Sequence, residues 1–292
     1  MGQMIKINLN TVDANIPIDT IGVDMGQSLS KTVILKDNIL NFSYFLTQSE
    51  SVALEAELRS RIKDYKKINF TGGKSFRLFQ TYSNKFEAKL INEFEANAKG
   101  VEILHFLEKN KDLPSSLIVT IGTGTSMVSK KGSIEHLGGS AMGGGFFMGL
   151  LKAFFNINDF QEAMTLAKKG NRYNVDLKVT DIYDPEDNRV DLLFREFTAA
   201  SFGKIDVNYS MNNLKKEDFV NSLICMMGEN IGTIANLMAD TNDLSTIVFC
   251  GGFLRENTVA RKILSVMCRV NKKKAIFLKN SEFCSAIGAL CV

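Results

Sequence analysis

The chain has 292 residues, 45% hydrophobic and 23% charged, with 35 basic and 32 acidic side chains and a net charge of +3. That length holds two domains or one large one with ample core, and the composition is that of a globular protein. So balanced a charge gives no nucleic-acid footprint, and no apolar run reaches the length of a membrane helix.

Residues 1–19 carry Asp, Asn and Pro but no hydrophobic h-region, so they read as an N-terminal extension and not as a signal peptide. The start "MGQMIK" lacks the Ser or Thr of a myristoylation signal at the sixth position. The expected compartment is the cytoplasm, with no membrane or nucleic-acid partner.

Residues 20–45 alternate short apolar runs with polar breaks and read as three strands, the second turn falling at Asp37-Asn38. Residues 51–65 are helical by period, and "INFTGG" (68–73) is a strand ending in glycines. The pattern predicts a helix over 84–109, broken near Gly100. Residues 117–121 and 127–129 form a hairpin, and a glycine-rich loop within 138–155 feeds a helix. Helices are predicted at 158–169, 191–202 and 214–240, then a strand at 245–253 that ends in glycines. A helix (256–269), a short strand (275–278) and a terminal helix (281–290) complete the chain.

The five cysteines, Cys225, Cys250, Cys268, Cys284 and Cys291, are odd in number and widely spaced, with no CxxC. They indicate neither a disulfide framework nor a zinc site, and Cys250 reads as a small buried hydrophobe. The lysine clusters at 215–216 and 272–274 read as solvated loops and helix ends.

Two segments echo two others. "IGVDMGQSL" (21–29) lies on "VTIGTGTSM" (119–127), pairing Gly26 with Gly124 and Ser28 with Ser126. "INFTGG" (68–73) lies on "IVFCGG" (247–252), pairing Gly72 with Gly251 and Gly73 with Gly252. The spacing from turn to glycine pair is 46 residues in the first half and 127 in the second, a difference of 81. This is the pattern of a duplicated α/β lobe with an insertion in its second copy.

The turns are suited to phosphate. "IGTGTSMVS" (121–129) fails the dinucleotide pattern, because Met127 stands where a glycine is needed. "GGKS" (72–75) fails as a P-loop, because Ile68 occupies the required glycine position. What remains is a hairpin turn whose glycines and backbone N–H groups form an anion-binding nest. Asp24, in the first turn, would hold Mg²⁺ and not phosphate. The glycine pairs at 72–73 and 251–252 admit something flat close to the backbone, and Gly251-Gly252 would lie by the adenosine.

"GVDMGQSLSK", "FTGG", "INEFEANAKG", "IGTGTSMV", "HLGGSAMGGGFFMGL", "GNRYNVDLKVTDIY", "FTAASFGK", "IVFCGGFLREN" and "SAIGAL" occur in this order. Together they resemble the type II, eukaryotic-like pantothenate kinases, of the superfamily of sugar kinases, heat-shock ATPases and actin. The resemblance covers residues 20–292 and implies an α/β fold of two duplicated ribonuclease-H-like lobes with a nucleotide cleft between them. It implies a first lobe over 20–114 and a second over 115–292, with an insertion near 138–214 for a homodimer. It places the first phosphate loop on Asp24, Gly26, Gln27, Ser28 and Lys31, and the catalytic glutamate on Glu93. The second phosphate loop falls on Gly122, Thr123, Gly124, Thr125 and Ser126, and the helix-opening glycines on Gly143, Gly144 and Gly145. The implied reaction is phosphorylation of the primary hydroxyl of pantothenate by ATP with Mg²⁺, the first step toward coenzyme A. Coenzyme A or an acyl-coenzyme A is a candidate inhibitor.

The chain departs from the family at two places. Gln27 replaces a glycine, and His136 stands where the family has a substrate-facing arginine. Histidine lacks arginine's fork and permanent charge, and losing such a cation costs on the order of 10²–10³ in rate. Lys130 and Lys131 are candidates to replace it. The other readings are a kinase for another small hydroxylated substrate, such as an N-acetylhexosamine, and a nucleotide- or coenzyme-A-binding homologue with impaired catalysis. A dehydratase-activating ATPase would need cysteines clustered for a shared iron–sulfur centre.

Overall fold

In a computed structural model that describes residues 3–9, 15–47, 51–184, 186–187 and 196–292, the echoing hairpins open two mixed sheets. The first half runs β1 (Gln3–Asn8), β2 (Thr20–Met25), β3 (Leu29–Lys36), β4 (Ile39–Leu46), α1 (Ser51–Arg61), β5 (Lys67–Thr71), α2 (Phe76–Ser83), β6 (Glu87–Leu90) and α3 (Glu93–Lys109). The second begins with β7 (Ser116–Ile121), β8 (Thr125–Lys131), β9 (Ser133–Ser140), α4 (Gly144–Phe155) and α5 (Phe160–Lys169). It continues through β10 (Leu177–Lys178), β11 (Thr198–Ala200), α6 (Lys216–Thr241), β12 (Thr246–Cys250), α7 (Thr258–Val270), β13 (Lys274–Phe277) and α8 (Cys284–Cys291).

The first sheet has the order β1-β4-β3-β2-β5-β6, and the second, read from its antiparallel edge, β9-β8-β7-β12-β13. In each, three strands meander antiparallel and two further strands lie parallel to the first of them. The topologies superpose except for β1, which adds to the outside of β4. The glycine echo also has a backbone meaning. Gly72 and Gly251, each just past the parallel strand beside the central one, have φ of +89° and +104°, a region that glycine enters without steric cost.

Several features differ from the pattern of the sequence, among them the strand β9. Residues 3–8 form a strand, because Ile5 and Ile7 alternate with Lys6 and Asn8 and pack on the open side of β4. Residues 84–109 are not one helix: Glu87–Leu90, rich in helix formers, is an edge strand parallel to β5, so sheet pairing overrides propensity. Phe76–Ser83 is a helix of its own. Thr198–Ala200, within the predicted helix 191–202, pairs antiparallel with β10, and residues 191–195 lie outside the described residues.

Gly100 does not break α3, which runs through it. Its role is close approach. A Cβ on Gly100 would lie 1.8 Å from the carbonyl oxygen of Cys284, and one on Gly288 would lie 1.6 Å from that of Ala96. A Cβ on Gly22 of β2 would meet the Ala286 carbonyl at 2.2 Å. α8 therefore rests backbone-to-backbone on both β2 and α3. A shared core lies between the sheets, with Ala98, Val101 and Leu104 of α3 and Ala286, Ile287 and Leu290 of α8 among its members. α1 and α2 cover the other face of the first sheet, and α6 and α7 that of the second.

Gly100→Ala should cost about 1–3 kcal/mol or more through overpacking and lower Tm by several degrees. Gly149→Ala is the control: Gly149 lies within α4 with nothing inside 4 Å of its Cβ direction, and this change should stabilise by up to about 1 kcal/mol. Thermal melts of both variants check the account, and similar shifts would contradict it.

Candidate active site

β2 and β3 pair Asp24 directly with Lys31. Neighbours on one face of a ladder can touch, and the Lys31 ammonium donates to Asp24 Oδ2 at 3.0 Å. Asp24 is only 5% exposed, so its charge needs this partner. Its other oxygen, Oδ1, faces Gly72, where a Cβ would intrude to 2.6 Å. The glycine leaves that oxygen room for a ligand.

α3 begins at Glu93. Asn92 caps it, its Oδ1 accepting from the N–H groups of Phe94 and Glu95 at 2.9 and 3.4 Å, a common N-cap arrangement. Glu93 lines a cavity of about 380 Å³ together with Gly72, Gly73, Ser75, Phe76 and Leu90. The side chain keeps contact with solvent at the mouth, yet the protein packed around it removes enough water to push its pKa up. The Asp24 charge pushes in the same direction, and Lys31 opposes both. The three groups therefore act on one another electrostatically.

The first turn is held by Gly26 N–H to Leu29 O at 3.0 Å and by the Thr47 hydroxyl to Gly26 O at 3.0 Å. Gln27 and Ser28 are exposed at its tip. In the second turn Gly122 N–H donates to Gly124 O at 2.8 Å. The helix-opening glycines seat this turn: Gly144 and Gly145 donate to the carbonyls of Gly122 and Thr123 at 2.7 and 2.9 Å. A Cβ at Gly143 would lie 2.5 Å from Thr123 O, and the Thr125 hydroxyl donates to Met142 O at 2.6 Å. The first amides of α4 are thus spent on the second turn. Ser126 sits opposite Gly139 on the β8–β9 ladder. The two turns meet, with Ser28 Oγ and Thr123 Oγ1 3.1 Å apart. Gly251 packs on β7, where a Cβ would reach Ile121 O at 2.4 Å, and Gly252 borders open space.

His136, on β9, stacks flat on Phe94, with ring centroids 3.9 Å apart and planes inclined by 10°. It therefore reaches from the second sheet to the residue beside Glu93. Lys130 is paired with Glu102 at 3.1 Å and Lys131 with Asp243 at 3.3 Å. The cation acting on Glu93 is Lys31. Sequence reasoning overlooked Gly72 as the neighbour of Asp24, Phe94 as the partner of His136 and Asn92 as the cap. The cap alone had a legible signal, an asparagine just ahead of the helix.

A carboxyl-carbon NMR titration should place the Glu93 midpoint above that of an ordinary glutamate. Lys31→Met should move it further up, because Lys31 is the group that holds it down. An unchanged or lower midpoint in the variant would contradict this electrostatic account.

The family model described as Fumble matches residues 24–292. A type II pantothenate kinase of Bacillus thuringiensis subsp. konkukian is 32% identical over 280 residues, covering 93% of this chain and 96% of that one. The protein of the same name from Oceanobacillus iheyensis is 30% identical over 272 residues, covering 92% and 98%. Among solved structures, the activator of 2-hydroxyisocaproyl-CoA dehydratase from Clostridium difficile, with bound ADPNP, has a TM-score of 0.62 at 18% identity and covers 93% of this chain and 92% of that one. A ROK family glucokinase from Streptomyces griseus, in complex with glucose and AMPPNP, has a TM-score of 0.56 at 13% identity, covering 93% and 97%. These two share the duplicated, two-lobed actin-like fold. By family model and by sequence identity over nearly its whole length, the chain belongs to the Fumble family of type II pantothenate kinases.

Proposed function

We propose that Glu93, Asp24 and Lys31 are the reacting centre of an ATP-dependent pantothenate kinase, the activity that family membership gives this chain. The observation that carries this reading is the convergence of the three charged groups beside two touching, hydroxyl-rich turns. Phosphoryl transfer demands little covalent chemistry of a protein. It demands in-line positioning and compensation of charge.

The acceptor's primary hydroxyl approaches through the cavity lined by Glu93. The Glu93 carboxylate orients that hydroxyl and takes its proton as the oxygen attacks the terminal phosphorus of ATP. The raised pKa suits this role, because a general base works best near the ambient pH. The turns at 26–28 and 122–126 hold the phosphates from both sides with N–H and hydroxyl donors. Glycines 143–145 support the second turn from below, and Gly251-Gly252 leave room for the nucleoside.

Mg²⁺ fits the free side of Asp24, where an oxygen donor faces the space left by Gly72. The ion, when bound there, supplies charge neutralisation between the phosphates. His136 and Phe94 form a flat wall at the acceptor side.

Between α5 and α6, Ile182, Val207 and Met211 are exposed, Val207 at 98%. Exposed apolar side chains on one segment suit a protein partner, and we assign this face to a second copy of the chain. Coenzyme A and its thioesters contain the pantothenoyl chain of the product, so they would compete at the same cleft. No helix among the described residues is long and apolar enough to cross a membrane, and the cytoplasm is the compartment in which ATP and pantothenate meet the enzyme.

ADP release with Mg-ATP should depend on pantothenate, and Glu93→Gln should lower kcat by about 10²-fold or more with little change in the KM for ATP. ATP binding without pantothenate-dependent release would overturn the assignment. Light scattering behind a sizing column should give twice the chain mass, and a single-chain mass would remove the dimer.

A further inference from the structure

Asn97 lies one helical turn after Glu93 on α3 and is 4% exposed. Its side-chain amide is a meeting point. Asn97 Oδ1 accepts from the Thr120 hydroxyl at 2.8 Å and from the Cys250 thiol at 3.7 Å. Asn97 Nδ2 donates to Ser285 Oγ at 3.2 Å. Thr120 and Cys250 also touch each other, at 3.3 Å, and they are register partners in the second sheet.

The places of these partners in the chain give the contact its meaning. Thr120 is the penultimate residue of β7, two positions before the 122–126 turn. Cys250 ends β12, immediately before Gly251-Gly252. Ser285 is the second residue of α8, the helix that rests on β2 two residues from Asp24. One buried amide therefore joins the helix that begins with Glu93 to both strands that deliver the second lobe's nucleotide loops. Apolar side chains would fill such a core with less risk, since a buried polar group is tolerated only when it is paired.

We propose that Asn97 is a positioning residue that ties the placement of Glu93 to occupancy of the nucleotide turns at 122–126 and 251–252. The proposal rests on the assignment of Glu93 as the base. Seating phosphate and nucleoside on those turns fixes the ends of β7 and β12, and through Thr120 and Cys250 it fixes Asn97. The first turn of α3 is then held where Glu93 faces the acceptor hydroxyl. The effect passes through direct hydrogen bonds and needs no change in the fold.

Thr120→Val removes the hydroxyl at nearly constant shape, and Thr120→Ser restores it. Thr120→Val should lower kcat with pantothenate roughly tenfold and leave the KM for ATP within about twofold, because misplaced chemistry and not lost binding is the fault. Thr120→Ser should keep most of the activity. Ser285→Ala, which removes the acceptor on the other side of the amide, should act in the same direction and serves if Thr120→Val folds poorly. Equal kcat in the Val and Ser variants, or a rise in KM for ATP that matches the fall in kcat, would overturn the proposal.

A second readout needs no turnover. In the wild-type protein, MgADP should slow hydrogen exchange at the start of α3 (92–97) as well as at 122–126. In Thr120→Val the protection at 122–126 should remain and that at 92–97 should be lost. Protection of 92–97 that persists in the variant, or is absent in the wild type, would overturn the coupling. Absence of pantothenate-dependent ADP release in the wild type would instead strike the functional assignment, and exchange would still decide the coupling.

Discussion

The site depends on how closely α8 approaches its neighbours. Gly22 on β2, Gly100 on α3 and Gly288 on α8 each lie so near a facing backbone that a methyl group would overlap a carbonyl oxygen. The first seam places α8 against the strand that carries Asp24. The others place it against the helix that begins with Glu93. These two carboxylates lie 69 positions apart in the chain, and the first sheet links them: Asp24 pairs with Thr71 of β5, whose hydroxyl donates to Ile91 O two residues before Glu93. Their relative position is set by that ladder and braced by α8, which packs against both β2 and α3. Interiors pack at crystal-like density, so a seam of backbone on backbone transmits displacement with little give. It also makes the first sheet incomplete without the last residues of the chain.

On that framework the electrostatics follow. Burying Asp24 is costly, and the antiparallel register answers the cost by setting Lys31 directly across from it. Glu93 then sits within the field of both. Its partial desolvation and the Asp24 charge weaken it as an acid, while Lys31 limits the shift. A bound cation at the free oxygen of Asp24 would act on Glu93 in the same direction as Lys31. The basicity of Glu93 is therefore raised first by the protein packed around it and then tuned by Asp24 and Lys31, which stand on the two strands that flank the first turn.

Much of this was legible in the sequence where local chemistry decides. The two turns and the glycine pairs that end strands announce themselves by composition, with a positive φ behind the signal at Gly72 and Gly251, and their repeated order revealed the duplicated lobes. Long helices with a clear apolar period, such as 216–241 and 258–270, were also legible. Failures came where distant pairing decides. Glu87–Leu90 has helix-forming residues and is a strand because β5 offers an edge. Gly100 read as a breaker because a helix interior rarely wants glycine, and only the facing backbone of α8 explains it. Asn97 carried no signal at all, since its three partners are 23, 153 and 188 residues away.

His136, where the resemblance implies an arginine, is the sharpest departure read from the sequence, and the structure gives it a definite setting. Lysines 130 and 131, on the neighbouring strand β8, pair with Glu102 and Asp243. What His136 does instead is stack on Phe94. A guanidinium could also lie on that ring, since arginine stacks readily on aromatic faces, but it would present a fork of donors around its edge. An imidazole presents two nitrogens and no fork. At this position the ring packs on the first residue after Glu93 and offers no bidentate fork. On the proposed reading, compensation of negative charge would fall to Lys31, to the backbone and hydroxyl donors of the two turns, and to a metal at Asp24. Of these only Lys31 carries a fixed positive charge from the protein, and it is already shared with Asp24. If Asp24 holds Mg²⁺ as proposed, that ion would carry charge compensation that an arginine at position 136 would otherwise share.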